Sequence, residues 1–361
     1  MRVLFCGGGT AGHVNPAIAV AQTVMRNSSE NKVAYVATEN GIENRLVDFK
    51  KFYIDVIGLK RSLSIKNISF LYKQIKAIDK CKEIIREFRP DVVFGTGGYA
   101  TYPVVVAAKK LGVKTVLHES NAIPGKAILS LEKKADRIFV NFEETKKYFK
   151  CQDKIVRTGN PLRSGFEAYK KEEAKKILNI QEKYVILCFG GSLGAERIND
   201  SALEMIENFV CQRRDVFFIW STGKNQLDKV NYALKKRGLQ RLPNLMVKDY
   251  FENMPMLIAS ADVVVSRAGA VTISELAYMN KASVIVPSPN VTNNHQFINA
   301  STLNNTLSAI MLTEDRLYAL TDVVRELIID TQKREELEKN IGQYAIRNAN
   351  KIIFNNIQEL I

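Results

Sequence analysis

The sequence predicts an α/β protein of two doubly wound domains, each a parallel sheet with helices on both faces. Three observations carry this. Short apolar runs alternate with segments of helical period along the chain. The runs are continuously apolar, the pattern of strands buried on both faces rather than one. The rhythm also restarts halfway: Val3–Cys6 enters Gly7-Gly8, and Tyr184–Phe189 enters Gly190-Gly191.

Taken in order, Val3–Cys6 is a strand, Gly7-Gly8-Gly9-Thr10-Ala11-Gly12-His13 a turn, and Pro16 the expected opening of a helix through Ile18, Val20 and Ala21. Val33–Ala37, Tyr53–Ile57, Val92–Phe94, Lys114–Leu117 and Arg137–Val140 follow as strands with helical segments between them. The turn-rich stretch Thr158-Gly159-Asn160-Pro161-Leu162-Arg163 is the expected hinge, dividing a domain of residues 1–160 from one of residues 161–343. A charged helix, Lys170–Leu178, precedes the second set of strands: Tyr184–Phe189, Val216–Trp220, Leu245–Val247, Asp262–Val265 and Val284–Val286. Trp220, ending a strand, reads as core. Lys333–Ile361 is helical with a break near Gly342, and residues 344–361 are expected to pack back on the first domain.

The 361 residues suffice for two domains with separate cores, and the composition is that of a globular protein. A net charge of +14 directs attention to phosphates, nucleic acid or an anionic membrane surface as partners. The five cysteines are scattered without metal-like spacing and read as reduced thiols. Too few apolar residues precede the first glycines for a signal peptide. No apolar run approaches the roughly 20 residues that span a bilayer.

Chemistry concentrates at the glycine turns. In Ser266–Glu275 an apolar strand enters Arg267-Ala268-Gly269 and then a helix, whose first amides are unpaired donors suited to a phosphate. Glu275 lies two turns in, where its carboxylate can accept from vicinal hydroxyls such as those of a ribose. Ser192 adds a hydroxyl to the Gly190–Ala195 turn, and Gly95-Thr96-Gly97-Gly98-Tyr99 bares the backbone after another strand. Gly7, Gly9 and Gly12 also fit GxGxxG, with Glu39 after the second strand, which is the dinucleotide-binding pattern. His13 would crowd a pyrophosphate on that helix start. His13 is either a general base titrating near neutrality or a helix-capping residue. His118, ending the fifth strand, is expected at the ligand-binding carboxyl edge of the sheet. His295-Gln296 suit sugar hydroxyls or phosphate. Neither His118 nor His295 has a carboxylate or cysteine at metal spacing, so no metal site is expected.

Seven stretches in this order (GGGTAGHVNPAIAVA, GTGGYATYPVVVAA, HESNAIPGKA, GNPLR, GGSLGAERIND, SRAGAVTISE and NNHQFINA) closely resemble the MurG family of glycosyltransferases, family 28. The resemblance covers nearly the whole chain. It implies a GT-B fold, two Rossmann-like domains facing across a cleft. The family's activity is the inverting transfer of N-acetylglucosamine (GlcNAc) from UDP-GlcNAc to the 4-hydroxyl of the muramyl unit of lipid I, giving lipid II for peptidoglycan. By motif, Glu275 would hold the ribose and the backbone of Phe251 the uracil. Arg163, Ser192, Arg267, Gly269 and Ala270 would surround the diphosphate, with His295 and Gln296 near the sugar and phosphates. Thr10, Ala11, Gly12, His13 and Asn121 would serve the reacting sugars from the first domain, with His13 the first choice of base and Glu39 and Glu43 the alternatives. Ala268 stands where some members have Ser, and His295 where some have Gln. Helix amides and arginines supply the leaving-group stabilisation, so no cofactor or metal is required.

The expected partners are UDP-GlcNAc, lipid I, the anionic inner leaflet and other proteins of cell-wall synthesis, with no nucleic acid. The expected location is the cytoplasmic face of the bacterial membrane. For that contact the region Leu59–Arg89 is basic, and Leu71, Ile75, Ile78 and Ile85 fall on one helical stripe expected to face the core. Leu63, Ile65, Ile68, Phe70, Tyr72 and Lys73 are the expected membrane-facing residues. Rival readings are a UDP-GlcNAc 2-epimerase of the same fold, an NAD-dependent dehydrogenase, and a non-catalytic nucleotide-sugar-binding scaffold.

Overall fold

The computed structural model describes residues 1–56, 66–191, 193–291 and 294–361, with backbone alone for 66–72. Leu63, Ile65 and Ser192 lie outside the described residues, and so do the side chains of Ile68, Phe70 and Tyr72. The chain divides into two compact units: Met1–Arg163 with Ile346–Ile361, and Ser164–Ala345.

The first unit carries β1 (Arg2–Cys6), β2 (Lys32–Ala37), β3 (Lys51–Tyr53), β4 (Val92–Gly95), β5 (Lys114–Glu119), β6 (Arg137–Val140) and β7 (Ile155–Arg157). Among the described residues these form a parallel sheet in the order β3-β2-β1-β4-β5-β6-β7. Its helices are α1 (Ala11–Asn27), α2 (Glu43–Leu46), α3 (Lys66–Phe88), α4 (Thr101–Lys110) and α5 (Lys126–Leu131). Successive residues of a strand point to opposite faces, and β1 divides accordingly. Val3 and Phe5 enter the core beneath α1, while Leu4 and Cys6 enter the core beneath α3 and α4.

The second unit carries α6 (Lys171–Ile177), β8 (Tyr184–Phe189), α7 (Glu196–Asn208), β9 (Val216–Ser221), α8 (Leu227–Lys236), β10 (Leu245–Lys248) and α9 (Met254–Ser260). Then come β11 (Val263–Arg267), α10 (Ala270–Tyr278), β12 (Ala282–Val286), α11 (His295–Asn305), β13 (Ile310–Met311), α12 (Leu320–Ile329) and α13 (Thr331–Gly342). Its sheet, again parallel, runs β10-β9-β8-β11-β12-β13. Trp220 is fully buried and donates its Nε1–H to Asn199 Oδ1 at 3.0 Å. The last helix, α14 (Ala349–Gln358), belongs to the first unit, where Ile353, Phe354 and Ile357 share a core with Val14, Ile18 and Ala21 of α1.

Four local readings change. Helix α1 opens at Ala11 rather than Pro16, which sits inside it. Proline removes one backbone donor, a tolerable loss near the start of a long helix whose opening amides lack partners anyway. His13 therefore lies in the first turn. Strand β3 falls slightly earlier than expected, paired with Tyr35–Ala37. On α3 the buried stripe is Ala77, Cys81, Ile84, Ile85 and Phe88, so Ile75 is off it and 56% exposed. Finally, His118 is fully buried rather than presented at the carboxyl edge, with Nε2 3.2 Å from the carbonyl oxygen of Gly159.

A carbonyl only accepts, so His118 Nε2 carries the proton, and the buried Nδ1 has no partner. Burial lowers the His118 pKa from 6.5 to about 4. Between those values the unfolded chain binds a proton that the folded chain refuses, so stability falls as pH drops from 6.5 towards 4. The full effect is about 3 kcal/mol. Urea midpoints measured at pH 7 and pH 5 should show the loss, and His118→Gln should reduce it. An equal loss in that variant would place the acid sensitivity elsewhere.

Candidate active site

In each sheet the strand order reverses once, between β1 and β4 in the first unit and between β8 and β11 in the second. Chains leaving two such neighbouring strands depart in opposite directions, opening a crevice at the carboxyl edge where α/β sheets bind ligands. All four exits at these points are glycine turns. Gly7–Gly9 follows β1, Gly97-Gly98 follows β4, Gly190–Gly194 follows β8 and Gly269 follows β11.

The two turns of the first unit interlock. Gly8 N donates to Gly97 O at 3.3 Å, and Thr96 N to Cys6 O at 2.9 Å. Gly98 has φ +79°, and a Cβ there would lie 2.2 Å from Gly8 O. Thr101 Oγ1 donates to Gly97 O at 2.7 Å, pinning the second turn to the start of α4. His13 rises from α1 into this mouth with Nδ1 2.9 Å from Gly8 O. Since that oxygen only accepts, Nδ1 is the protonated nitrogen, and Nε2 keeps the basic lone pair. Nε2 sits beside bare Gly97, where an added Cβ would come within 3.3 Å. Burial holds the His13 pKa below its ordinary value, opposed by the Gly8 bond, so the ring is neutral at pH 7.

Thr10, Ala11 and Gly12 form the exposed or half-exposed start of α1, whose first amides have no intrahelical acceptor. Glu39 stands exposed just past β2. Asn121 is held by a residue that the motif reading passed over. Buried Glu119, ending β5, accepts from Asn121 N at 2.9 Å, Asn121 Nδ2 at 3.0 Å and Gly125 N at 2.8 Å. Tyr99 is likewise new to the mouth, its ring beside Gly9 and its hydroxyl 3.4 Å from Thr38 Oγ1. A carboxylate two residues beyond the predicted strand Lys114–Leu117 was the available signal for Glu119. Arg163, partly exposed, closes the first unit.

Glu43 does not fit the mouth. Its side chain is fully buried, with Oε1 accepting from Thr38 N at 3.0 Å and Thr38 Oγ1 at 2.7 Å. A base must reach a substrate hydroxyl, and a carboxylate sealed beneath the turn cannot, so Glu43 is removed as an alternative.

In the second unit Gly194 has φ +85°, and a Cβ there would meet Thr222 O at 2.2 Å, so the turn after β8 is pressed onto the end of β9. Gly269 differs. It is the N-cap of α10 in extended backbone, φ −68°, and a Cβ would approach only Thr272 Oγ1, at 3.7 Å. Neither conformation nor packing requires glycine there, and the position is open to close approach from outside. Buried Ala270 begins α10 and half-buried Glu275 lies farther along it. Phe251, after β10, buries its ring beneath Lys248 Nζ, which lies 5.5 Å from the ring centroid. His295 and Gln296 open α11; Gln296 Oε1 accepts from Ser288 N at 2.9 Å, leaving the amide NH2 as the donor. Buried Asn299, one turn on, ties α11 to the β11 turn through Ala268 O at 3.3 Å.

Arg267 is also corrected. Its guanidinium is paired with Glu314 at 2.5 Å and donates to Val286 O at 3.4 Å and Pro287 O at 3.3 Å. It braces the exits of β11 and β12 instead of offering an unpaired charge to a diphosphate. Among the described residues no cluster of His, Cys, Asp or Glu could hold a metal ion.

Residues 3–140 match the glycosyltransferase family 28 N-terminal domain, and residues 185–353 match the family's C-terminal domain. A protein of Caldicellulosiruptor saccharolyticus is 38% identical, covering 98% of this chain and 97% of its own. It is named UDP-N-acetylglucosamine--N-acetylmuramyl-(pentapeptide) pyrophosphoryl-undecaprenol N-acetylglucosamine transferase. The chain belongs to glycosyltransferase family 28. A Bacillus licheniformis protein of the same name is 37% identical, covering 100% of this chain and 99% of its own. Among solved structures, the family 28 fold is matched by MurG of Acinetobacter baumannii, with a TM-score of 0.76 at 26% identity over 99% of both chains. A UDP-GlcNAc 2-epimerase of Neisseria meningitidis shares the fold, with a TM-score of 0.67 at 16% identity, covering 99% of this chain and 100% of its own.

The interlocked turns of this family 28 chain make a steric prediction. Gly98 and Gly191 both have positive φ, but only at Gly98 does an added Cβ meet a described atom within 4 Å. Alanine at either position costs about 1–2 kcal/mol for the left-handed backbone. Gly98→Ala adds the collision with Gly8 O and should lower the thermal midpoint by several degrees more than Gly191→Ala. Equal shifts would mean that the two turns separate freely.

Proposed function

We propose that this chain transfers GlcNAc from UDP-GlcNAc to lipid I, the undecaprenyl-diphosphate-linked muramyl pentapeptide, making lipid II. The observation that carries this is identity of 37–38% over essentially the full length with transferases named for that reaction. The paired glycine mouths agree with it, since one such mouth per unit suits two phosphate-bearing substrates. The epimerase reading rests on 16% identity and a shared fold alone.

In this reading the second unit takes the donor. Glu275 accepts from the ribose hydroxyls, the backbone at Phe251 meets the uracil, and the amides at Gly269 and Ala270 face the diphosphate with Ser192. His295 and the Gln296 NH2 lie toward the sugar, and Arg163 adds positive charge. Arg267, held by Glu314, keeps the turn in shape. Helix amides stabilise the leaving UDP as the C1–O bond to the β-phosphate breaks, and the reaction needs no metal ion. The first unit takes the acceptor. His13 Nε2 removes the proton from the muramyl 4-hydroxyl as that oxygen attacks C1 from the opposite face, inverting the centre. The Gly8 carbonyl stabilises the imidazolium through Nδ1–H. Thr10, Ala11, Gly12 and Asn121 line this side, and Glu39 is the remaining alternative base.

UDP release with and without a lipid I analogue tests the reading. Acceptor-dependent release supports it. Release without acceptor, or an epimerised sugar, would replace it with the epimerase, and binding without turnover would leave a scaffold. His13→Ala should lower kcat by roughly 10²–10⁴ with donor affinity little changed. Glu275→Ala should instead raise the donor KM, losing hydrogen bonds of about 1.5–3 kcal/mol each.

No helix among the described residues is long and apolar enough to cross a membrane, and the acceptor is lipid-linked. We therefore propose that α3 lies against the anionic inner leaflet. Lys73 is paired with Asp55 at 3.2 Å, which weakens its contribution, whereas Ile75 and Lys76 are both exposed. Basic groups near such a surface contribute about 1 kcal/mol each, screened by salt. Cosedimentation with anionic vesicles should weaken with salt and drop in an Ile75→Ser, Lys76→Glu double variant. Equal binding to neutral vesicles would move the membrane face elsewhere.

A further inference from the structure

The buried carboxylate of Glu43 has no role in the chemistry described so far. It opens α2 with no exposed surface, and its Oε2 has no hydrogen-bond partner. An unsatisfied buried acceptor is costly, so its retention calls for a compensating use. Its surroundings point to one. A Cβ at Gly8 would lie 3.3 Å from Glu43 Oε1 and 3.5 Å from Oε2, so the carboxylate occupies the space directly behind the Gly8 backbone. On its other side a Cβ at Gly41 would fall 2.1 Å from Oε1. The group is thus wedged between two glycines, one of them carrying the carbonyl that receives His13 Nδ1–H.

We infer that Glu43 is a positioning residue: it backs the Gly7–Gly9 turn so that Gly8 O stays under His13 Nδ1, keeping Nε2 the unprotonated nitrogen. The inference deepens the reading of His13 as the base and rests on it for its catalytic consequence. Three contacts complete the support. Thr38 binds Oε1 through both its amide and its hydroxyl. Tyr35 donates its hydroxyl to Gly7 O at 2.9 Å. Tyr99 closes the opposite side, between Thr38 Oγ1 and Gly9. The turn is consequently held from behind by Glu43 and Tyr35, and from the front by Gly97 and Gly98. Remove the wedge and Gly8 O is free to rotate away, after which no carbonyl selects which imidazole nitrogen carries the proton.

The chain has only three histidines, so imidazole ¹⁵N spectra of the histidine-labelled full-length protein can read the His13 tautomer directly. Wild type should show the Nδ1–H form. Glu43→Ala should give a mixture of tautomers, at least a tenfold loss of kcat and a donor KM within twofold of wild type. Glu43→Gln keeps the wedge and an oxygen for Thr38, and should retain the Nδ1–H form and at least a third of kcat. Glu43→Asp withdraws the carboxylate from Gly8 with less disruption and should shift the tautomer as alanine does, which guards against an alanine variant that does not fold. An unchanged Nδ1–H signal in Glu43→Asp or Glu43→Ala would overturn the inference. The tautomer is read without turnover, so an active His13→Ala enzyme would refute His13 as base while leaving this result standing.

Discussion

Everything placed at the two mouths depends on where the strand order of each sheet reverses. A parallel sheet closes its carboxyl edge wherever successive strands are added on one side, because each connection then covers the exit of its neighbour. At β1 and β4, and again at β8 and β11, the connections leave in opposite directions and the edge stays open. An open edge exposes backbone amides, and glycine permits both the turns and the close approach that make those amides useful. In the first unit the turns lean on each other, with Gly98 lying so near Gly8 O that no side chain fits between them. The two turns therefore constrain each other's position.

The electrostatics of His13 follow from that constraint. A histidine among flexible glycines would exchange tautomers and titrate near its ordinary pKa. Here a carbonyl fixed by neighbouring backbone takes the Nδ1 proton, and enclosure by the turns disfavours the charged ring. The two effects oppose each other in pKa: burial disfavours the charged ring, and the bond to Gly8 O favours it. The second unit uses charge differently. Arg267 and Glu314 neutralise each other while joining three segments, so this pair serves to hold the exits of β11 and β12 together.

The sequence by itself determined the alternation of parallel strands and helices, their restart after the first half, and the glycine turns at the strand exits. These are short-range properties: a strand buried on both faces is a local apolar run, and a glycine turn is written in adjacent residues. Membership of family 28 was legible in seven motifs because their order along the chain carries the information, whatever their contacts. Only the tertiary structure decided which polar side chains face a mouth. Glu43 and Glu39 are four residues apart after the same strand, yet one is sealed beneath Gly8 and the other is exposed. His118 turns to Gly159, 41 residues away, and Arg267 to Glu314, 47 residues away. Such partners are set by how loops from different strands pack at one edge, and neither period nor spacing within a segment encodes that. The opening of α1 ahead of Pro16 and the outward-facing Ile75 have the same origin: helix boundaries and faces are settled by the surface the helix packs against, while the sequence supplies only the stripe.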